Sequence, residues 1–200
     1  MTSEMRKNLS LVILAIAFVS FIYGTFKALE ISKKKQVGTS NGIYTSYVTT
    51  SQEIEVKALD LTKHCVNELC KVQSVLDFVS NIPYYTTTFQ RYSAQKTIQQ
   101  NFGDCDDKSN LLISMLHALG KEAYFVLVPK HIFIIIAIED RRLDKVKGLW
   151  VNGKKYFILE STAKGSRVGF PLQYRLDEID VIVEPFSNEK ISIEKLEWKR

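Results

Sequence analysis

Residues 103–120 read GDCDDKSNLLISMLHALG and contain the clearest structural signal in the chain. Its apolar residues recur every three or four positions, which predicts an amphipathic helix. Asp106 and Asp107 suit the positively polarised first turn of such a helix, and Gly120 stands where a left-handed C-terminal cap belongs. The sequence therefore predicts a helix that has Cys105 at its N-terminus.

Two helices are predicted before this segment. The first spans about residues 53–63. The second can be capped by Asn67 and ends before Pro83, and its apolar positions again recur at helical spacing. Both helices are expected to pack one face on the core.

Beyond residue 120 the pattern changes from helix to strand. Residues 123–128 and 132–138 are rich in Ile, Val and Phe, and a short break at residues 129–131 separates them. Residues 132–138 are apolar on both faces, which is typical of a strand in the middle of a sheet. We therefore expect this strand to be central and covered by the helices on one side.

A second pair of strands follows. Residues 149–151 and 156–159 flank Asn152-Gly153, a strong signal for a two-residue hairpin turn. A last strand is predicted at residues 179–183. Because helices precede strands, the predicted fold class is α+β, with N-terminal helices packed on an antiparallel sheet.

An apolar segment precedes all of these elements. Residues 9–26 read LSLVILAIAFVSFIYGTF and contain no charge. A helix of this length spans ~27 Å, about the hydrocarbon core of a bilayer. Ala15 and Ala17 resemble a signal-peptidase site, but they lie inside the apolar run and not after it. We therefore expect a retained transmembrane anchor, with a removed signal peptide as the alternative.

Composition divides the chain into five parts, which leave room for one compact domain. They are an N-terminal tail (1–8), the transmembrane anchor (9–26), a polar linker (27–52), the domain (53–186) and a charged C-terminal tail (187–200).

Net charge gives no sign of a nucleic-acid partner. The formal charge of +5 is spread along the chain and is not interleaved with stacking aromatic residues or glycine loops. We expect solvated surface and a juxtamembrane basic cluster, with no nucleic-acid binding. The sequence carries no signal for an oligomeric state.

The three cysteines allow a disulfide and one free thiol. Cys65 and Cys70 are too far apart to bridge on an unbroken helix, where their Cα atoms would be more than ~7 Å apart. A helix that starts after Asn67 would leave Cys65 in the preceding loop and allow the bridge. A disulfide and two reduced thiols both remain open. His64 has no second ligand pair at metal spacing, so no metal site is expected.

The side of the membrane also remains open. Two basic residues precede the apolar segment and four follow it, which favours a cytoplasmic domain by the positive-inside rule. A Cys65–Cys70 disulfide would instead favour the extracytoplasmic side.

Cys105 has the setting of a reactive thiol. The N-terminus of a helix stabilises a thiolate and offers unpaired N–H groups to an oxyanion. The neighbouring Asp104, Asp106 and Asp107 oppose ionisation of the thiol. The helix dipole and a histidine must therefore outweigh these carboxylates, or the carboxylates must point away.

Of the three histidines, His131 is the best partner for this thiol. His117 lies about three turns, or ~18 Å, along the helix from Cys105, and His64 precedes the second helix. His131 opens a buried strand, and Glu160 ends another strand of the same sheet. This chemistry predicts a nucleophile, a base and an orienting carboxylate, although a carboxylate at a strand end is often only solvated.

Residues 70–162 resemble the transglutaminase-like superfamily of papain-fold cysteine enzymes. The matching segments are Ile82-Pro83-Tyr84, Gly103-Asp104-Cys105-Asp106-Asp107, His131-Ile132-Phe133 and Glu160-Ser161-Thr162. The resemblance implies a transglutaminase-like core with Cys105 as nucleophile, His131 as base and Glu160 as the group that orients the base. It implies no cofactor. Glu160 stands where many members have Asp.

The resemblance also implies an aromatic or amide side chain beside the oxyanion. The candidates are Gln99, Gln100 and Tyr84.

The implied reaction is attack of the thiol on an amide carbonyl of a peptide or protein, which gives a thioester. Water as acceptor makes the protein a peptidase or amidase, and an amine makes it a transglutaminase. A single anchored domain favours hydrolysis at a membrane surface. The alternative function is a catalytically silent, membrane-anchored module that binds a protein partner.

Overall fold

The computed structural model describes residues 3–32, 36–39, 42–86 and 92–200. The chain divides into two compact units, Met1–Lys35 and Gln36–Arg200, and each is described by itself.

The first unit is one helix, α1 (Ser3–Ser32). Within it, Asn8–Phe26 has a mean hydropathy of 2.3 over 19 residues, and its side chains are not buried. The helix is therefore long and apolar enough to cross a membrane, and it contains the predicted span at residues 9–26. A signal sequence near an N-terminus can also form a helix that is long and apolar enough by this measure.

The second unit begins with a short hairpin of β1 (Val37–Thr39) and β2 (Gly42–Tyr44), and four helices follow. The helices are α2 (Gln52–Thr62), α3 (Glu68–Asn81), α4 (Ala94–Gln100) and α5 (Cys105–Ala118). The predictions of α2, α3 and α5 are confirmed. The short helix α4 was not predicted.

The remaining strands form one antiparallel sheet. They are β3 (Ala123–Val128), β4 (His131–Ile136), β5 (Gly148–Val151), β6 (Lys154–Leu159), β7 (Val181–Glu184), β8 (Glu189–Lys190) and β9 (Leu196–Lys199). Their order across the sheet is β8-β7-β3-β4-β6-β5-β9. Short 3-10 helices lie at Arg141–Leu143 and Leu176–Glu178. The predicted α+β class is confirmed.

The central strand β4 is buried on both faces, as its sequence predicts. Ile132, Ile134 and Ile136 face the helices and join the larger apolar cluster. Phe133 and Ile135 point to the opposite face and join a second cluster. This alternation follows from the two-residue period of a strand, and it sorts the side chains of β4 between the two layers.

Sequence signals also fix the local turns. Asn152 and Gly153 both have positive φ, at 50° and 84°, and join β5 to β6 in the hairpin that the sequence predicts. Gly120, with φ 69°, ends the last turn after α5 as a left-handed cap.

The second unit includes residues on both sides of the predicted domain (53–186). Val37 and Tyr44 are buried in the main cluster although they lie in the predicted linker. The predicted tail contributes β9, which pairs with β5. These strands are only two to four residues long, so the sequence shows no clear periodicity for them. Linker residues 33–35 and 40–41 lie outside the described residues.

Candidate active site

Cys105 is the first residue of α5, and its backbone is fixed by a capping box. The Asp104 carboxylate accepts hydrogen bonds from the backbone N–H groups of Asp106 (3.0 Å) and Asp107 (3.1 Å). The Asp107 carboxylate in turn accepts from the Asp104 N–H at 3.4 Å. The N-terminus of the helix, and with it the thiol, is therefore held in one position.

A neighbouring loop is hydrogen-bonded along this helix start. The Gly103 N–H donates to the Pro83 carbonyl at 3.2 Å, and the Tyr85 N–H donates to the Gly103 carbonyl at 3.1 Å. Tyr84 and Gly103 thereby form an isolated parallel bridge. This pairing places Tyr84, one of the three oxyanion candidates, beside Gly103, two residues before Cys105.

His131 and Glu160 are brought together by the sheet. His131 begins β4, Glu160 follows the last residue of β6, and the two strands are paired antiparallel. His131 Nε2 lies 2.8 Å from Glu160 Oε2, and only 17% and 11% of the two side chains is exposed. The second carboxylate oxygen, Oε1, accepts from the Thr162 N–H at 2.9 Å and from the Thr162 hydroxyl at 2.5 Å. The carboxylate is therefore fixed on both sides.

The hydrogen bonds of Glu160 keep it ionised. Burial acts to raise its pKa, but the hydrogen bond and charge of His131 and the two bonds from Thr162 outweigh burial, and the pKa is lowered overall. An ionised Glu160 accepts, so His131 Nε2 donates. Among the described residues, no hydrogen bond engages His131 Nδ1. The Cys105 thiol has its own partner in the structure, because Sγ donates a long hydrogen bond to Asp106 Oδ1 at 4.0 Å.

One buried hydrogen bond and one longer-range charge interaction connect the helix of Cys105 to the strand end of Glu160. The hydroxyl oxygens of Ser109 and Ser161 lie 3.1 Å apart, and both residues are fully buried. Lys108, 1% exposed, lies within electrostatic range of Glu160. Burial lowers the pKa of Lys108 to about 8, and the charge of Glu160 opposes this change.

Tyr174 also lies at the site, although no signal in the sequence marks it. Its ring stacks on the His131 imidazole with the centroids 6.0 Å apart. Burial raises the pKa of its hydroxyl, and the charges of Glu160 and Cys105 raise it further. Burial, Cys105 and the nearby carboxylates raise the pKa of Tyr84 as well. Cys105 is thus within electrostatic range of both tyrosines, of which Tyr174 stacks on His131.

The free thiol of Cys105 is protonated at neutral pH. Burial raises its pKa to about 12, and the charges of Asp106 and Asp104 contribute to the increase. The backbone N–H groups of Asp106 and Cys105 act to lower the pKa, but they do not outweigh burial. The lowering effect of the helix N-terminus is therefore outweighed by desolvation of this half-buried thiol, and the sequence could not show that balance.

The three predicted oxyanion candidates differ in their surroundings. The Gln99 amide donates to Glu53 Oε2 at 3.2 Å, and the Gln100 amide donates to the Phe102 carbonyl at 3.0 Å. Tyr84 is the candidate whose hydroxyl is affected by the charge of Cys105.

Cys65 and Cys70 form a disulfide with their Cα atoms 5.4 Å apart. The geometry follows the predicted helix start, since Asn67 precedes α3 and accepts from the Cys70 N–H at 2.9 Å. Cys105 is the free cysteine in the part of the chain that the structure describes. Within the same part, no group of three or more His, Cys, Asp or Glu side chains could hold a metal ion.

Comparison with protein families supports the resemblance drawn from the sequence. Residues 56–133 match the model of the transglutaminase-like superfamily. The match includes Cys105 and His131 and ends before Glu160. The resemblance to this superfamily is confirmed for residues 56–133, which run from within α2 to the start of β4.

Solved structures give two neighbours at low identity. One is a "putative cysteine protease" from Cytophaga hutchinsonii, 18% identical with a TM-score of 0.43; the match covers 76% of this chain and 54% of that protein. The other is a "putative protease" from Parabacteroides distasonis, 18% identical with a TM-score of 0.46; the match covers 72% of this chain and 28% of that protein. No curated protein matches the chain.

Proposed function

We propose that the protein is a membrane-anchored thiol enzyme that acts on amide bonds through Cys105, His131 and Glu160. The contact between His131 Nε2 and Glu160 Oε2, at 2.8 Å, carries the proposal. It orients the imidazole as catalysis requires, and a binding surface has no need of it. The match of residues 56–133 to the superfamily supports the same assignment.

The burial of Cys105 determines how the thiol is activated. Because its pKa is raised to about 12, the resting enzyme holds a thiol and not a thiolate. In the proposed reaction His131 Nδ1 accepts the thiol proton while Sγ attacks the carbonyl carbon, and Glu160 stabilises the imidazolium that forms. The tetrahedral intermediate then collapses to a thioester, and the imidazolium gives its proton to the leaving amine.

The N-terminus of α5 supplies the oxyanion donors in this proposal. Asp104 already occupies the N–H groups of Asp106 and Asp107. The Cys105 N–H and the Tyr84 hydroxyl remain as the proposed donors, because Cys105 is the first residue of α5 and Tyr84 is within electrostatic range of the thiol.

The acceptor for the thioester determines the reaction class. We propose water, which makes the protein a peptidase or amidase, with a primary amine as the alternative that makes it a transglutaminase. Fluorescently labelled casein tests the first reaction, and incorporation of dansylcadaverine into unlabelled casein tests the second. Cys105→Ala abolishes whichever reaction occurs. A Cys105→Ala protein as active as the parent contradicts the proposal.

The burial of Cys105 also favours a second candidate, a silent anchored module that binds a protein partner. A thiol with a pKa near 12 that His131 does not activate would serve only for packing. Alkylation by iodoacetamide distinguishes the two functions. If the domain is a silent module, Cys105 reacts more slowly than an ordinary thiol of pKa ~8.5 at every pH from 6 to 9. The same slow reaction is then seen in the parent and in His131→Ala.

For the location we propose a single-pass membrane protein with its domain on the extracytoplasmic side. The apolar helix α1 and the Cys65–Cys70 disulfide support this assignment. A reporter that is active only outside the cytoplasm, fused after Arg200, is expected to be active. A reporter that is active only in the cytoplasm is expected to be silent in the same position.

A further inference from the structure

The ring of Tyr174 covers two side chains of the central strand at once. His131 and Phe133 lie two residues apart on β4, so they point to the same face of the sheet. The plane of the Tyr174 ring makes an angle of 20° with the imidazole and of 10° with the Phe133 ring. Its centroid lies 6.0 Å from the centroid of the imidazole and 6.2 Å from that of the Phe133 ring. Offset stacking of this kind is a favoured arrangement of aromatic rings.

The position of Tyr174 is fixed by its surroundings. Phe133 is 2% exposed, so one of the two rings that Tyr174 contacts is itself held in the core. The segment that leads to Tyr174 is attached to the sheet, because the N–H groups of Gly169 and Phe170 both donate to the Ile158 carbonyl, at 3.0 and 3.1 Å. Tyr174 also packs on the second apolar cluster. Its ring is therefore a fixed surface against which the imidazole lies.

A single hydrogen bond does not determine the orientation of an imidazole. The bond from His131 Nε2 to Glu160 fixes one atom of the ring, but the ring can still tilt about that atom. A flat surface on one face of the ring removes this freedom and fixes the direction of Nδ1 as well. Preorganisation of this kind is needed because a proton transfer requires hydrogen-bond geometry.

We propose that Tyr174 is a positioning residue that holds the His131 imidazole in the plane in which Nε2 meets Glu160 and Nδ1 stays available for the thiol proton. The ring and not the hydroxyl carries this role, since it is the ring planes of Tyr174 and His131 that stack, at an angle of 20°. The catalytic consequence rests on the proposed function, whereas the position of the imidazole does not.

Three variants of the full-length protein in detergent test the proposal. Tyr174→Leu removes the ring, Tyr174→Phe keeps it and removes the hydroxyl, and Tyr156→Leu is the matched control. Tyr156 packs on the same cluster, where its ring meets Tyr124, and it has no ring contact with His131. It therefore reports the cost of removing a tyrosine ring from this face.

Two measurements are made on each variant. Nitrogen-15 NMR of labelled histidine follows the exchange of the His131 Nε2 proton with water, with the signal assigned through His131→Ala. Iodoacetamide labelling at pH 7, read by mass spectrometry, gives the alkylation rate of Cys105, whose thiol is the free one. Tyr174→Leu is expected to speed proton exchange and to slow alkylation by about fivefold each, while Tyr174→Phe and Tyr156→Leu stay within about twofold of the parent.

The outcomes distinguish the positioning role of Tyr174 from the proposed catalytic function. Unchanged proton exchange in Tyr174→Leu overturns the positioning role, whatever Cys105 does. A Tyr156→Leu variant that matches Tyr174→Leu in both measurements also overturns it, because the effect is then a general loss of packing. Faster exchange in Tyr174→Leu, together with a Cys105 rate that neither Tyr174→Leu nor His131→Ala alters, supports the positioning role and contradicts the proposed function.

Discussion

The hydroxyl oxygens of Ser109 and Ser161 lie 3.1 Å apart in the fully buried interior. Ser109 follows Cys105 by one helical turn, and Ser161 directly follows Glu160. One hydrogen bond therefore connects the helix of the proposed nucleophile to the strand end of the carboxylate. It is a means by which a fold holds two distant parts of the chain in a constant relation.

The first prediction concerns this hydrogen bond. Ser109→Ala and Ser161→Ala each leave a buried hydroxyl without its partner, so each is expected to lower the free energy of unfolding by about 1–3 kcal/mol. The double variant is expected to cost less than the sum of the two, with a coupling energy of about 1 kcal/mol. Urea unfolding of the four proteins measures the coupling. Strictly additive effects contradict a direct bond.

The second prediction concerns Gly103, which precedes the capping box. A Cβ atom at this position would lie 2.8 Å from the Asp107 Cβ and 3.3 Å from a Thr97 methyl group. Gly103→Ala must shift the helix start and is expected to destabilise the protein by about 1–3 kcal/mol. Gly38→Ala is the control, because a Cβ there meets nothing within 4 Å. Equal thermal unfolding of the two variants would show that the helix start is not closely packed.

The third prediction is a pH dependence that belongs to Glu160. Its pKa in the folded protein is lowered from 4.5, although burial acts to raise it, because the His131 and Thr162 bonds outweigh burial. A lowered folded pKa contributes stability above pH 4.5 that is lost as the pH falls through the folded pKa. Glu160→Gln is expected to lower the free energy of unfolding by about 1–3 kcal/mol at pH 7. It is also expected to remove this loss of stability at acid pH.

Urea unfolding between pH 3 and 7 measures this effect. Glu194→Gln, which changes an exposed carboxylate, is the control and is expected to retain the parent's pH dependence. If Glu160→Gln loses as much stability at acid pH as the parent does, the loss belongs to another group.

The fourth prediction concerns the charge beside the thiol. After burial, Asp106 is the largest contributor to the raised pKa of Cys105, and the two side chains approach to 4.0 Å. Asp106→Asn is therefore expected to lower that pKa and to raise the alkylation rate of Cys105 at pH 8 by about threefold. Asp144→Asn, an exposed residue elsewhere in the domain, is expected to leave the rate unchanged. A slower reaction in Asp106→Asn would show that Asp106 assists the thiol.

The sequence was informative wherever a local signal determines the structure. Asn67 caps α3, Gly120 ends the turn after α5, and Asn152-Gly153 forms the β5–β6 hairpin, because each depends on the conformational preferences of one or two residues. The order of Cys105, His131 and Glu160 along the chain could likewise be read as a pattern.

Features that depend on distant partners could not be predicted. Strand β9 exists because β5 offers it an edge, and its four residues carry no periodicity of their own. Tyr174 lies in an irregular segment, and its importance appears only when the fold places it against His131. The burial that raises the pKa of Cys105 likewise depends on the packing of the whole domain.

The alkylation rate of Cys105 in His131→Ala shows whether the imidazole acts on the thiol. If His131 accepts the thiol proton, its removal is expected to slow the reaction with iodoacetamide at pH 7 by about tenfold or more. His117→Ala is the matched control, since His117 lies in the last turn of the same helix that Cys105 begins, and it is expected to react like the parent. A His131→Ala protein whose Cys105 reacts as fast as in the parent and in His117→Ala would contradict a shared site of thiol, imidazole and carboxylate.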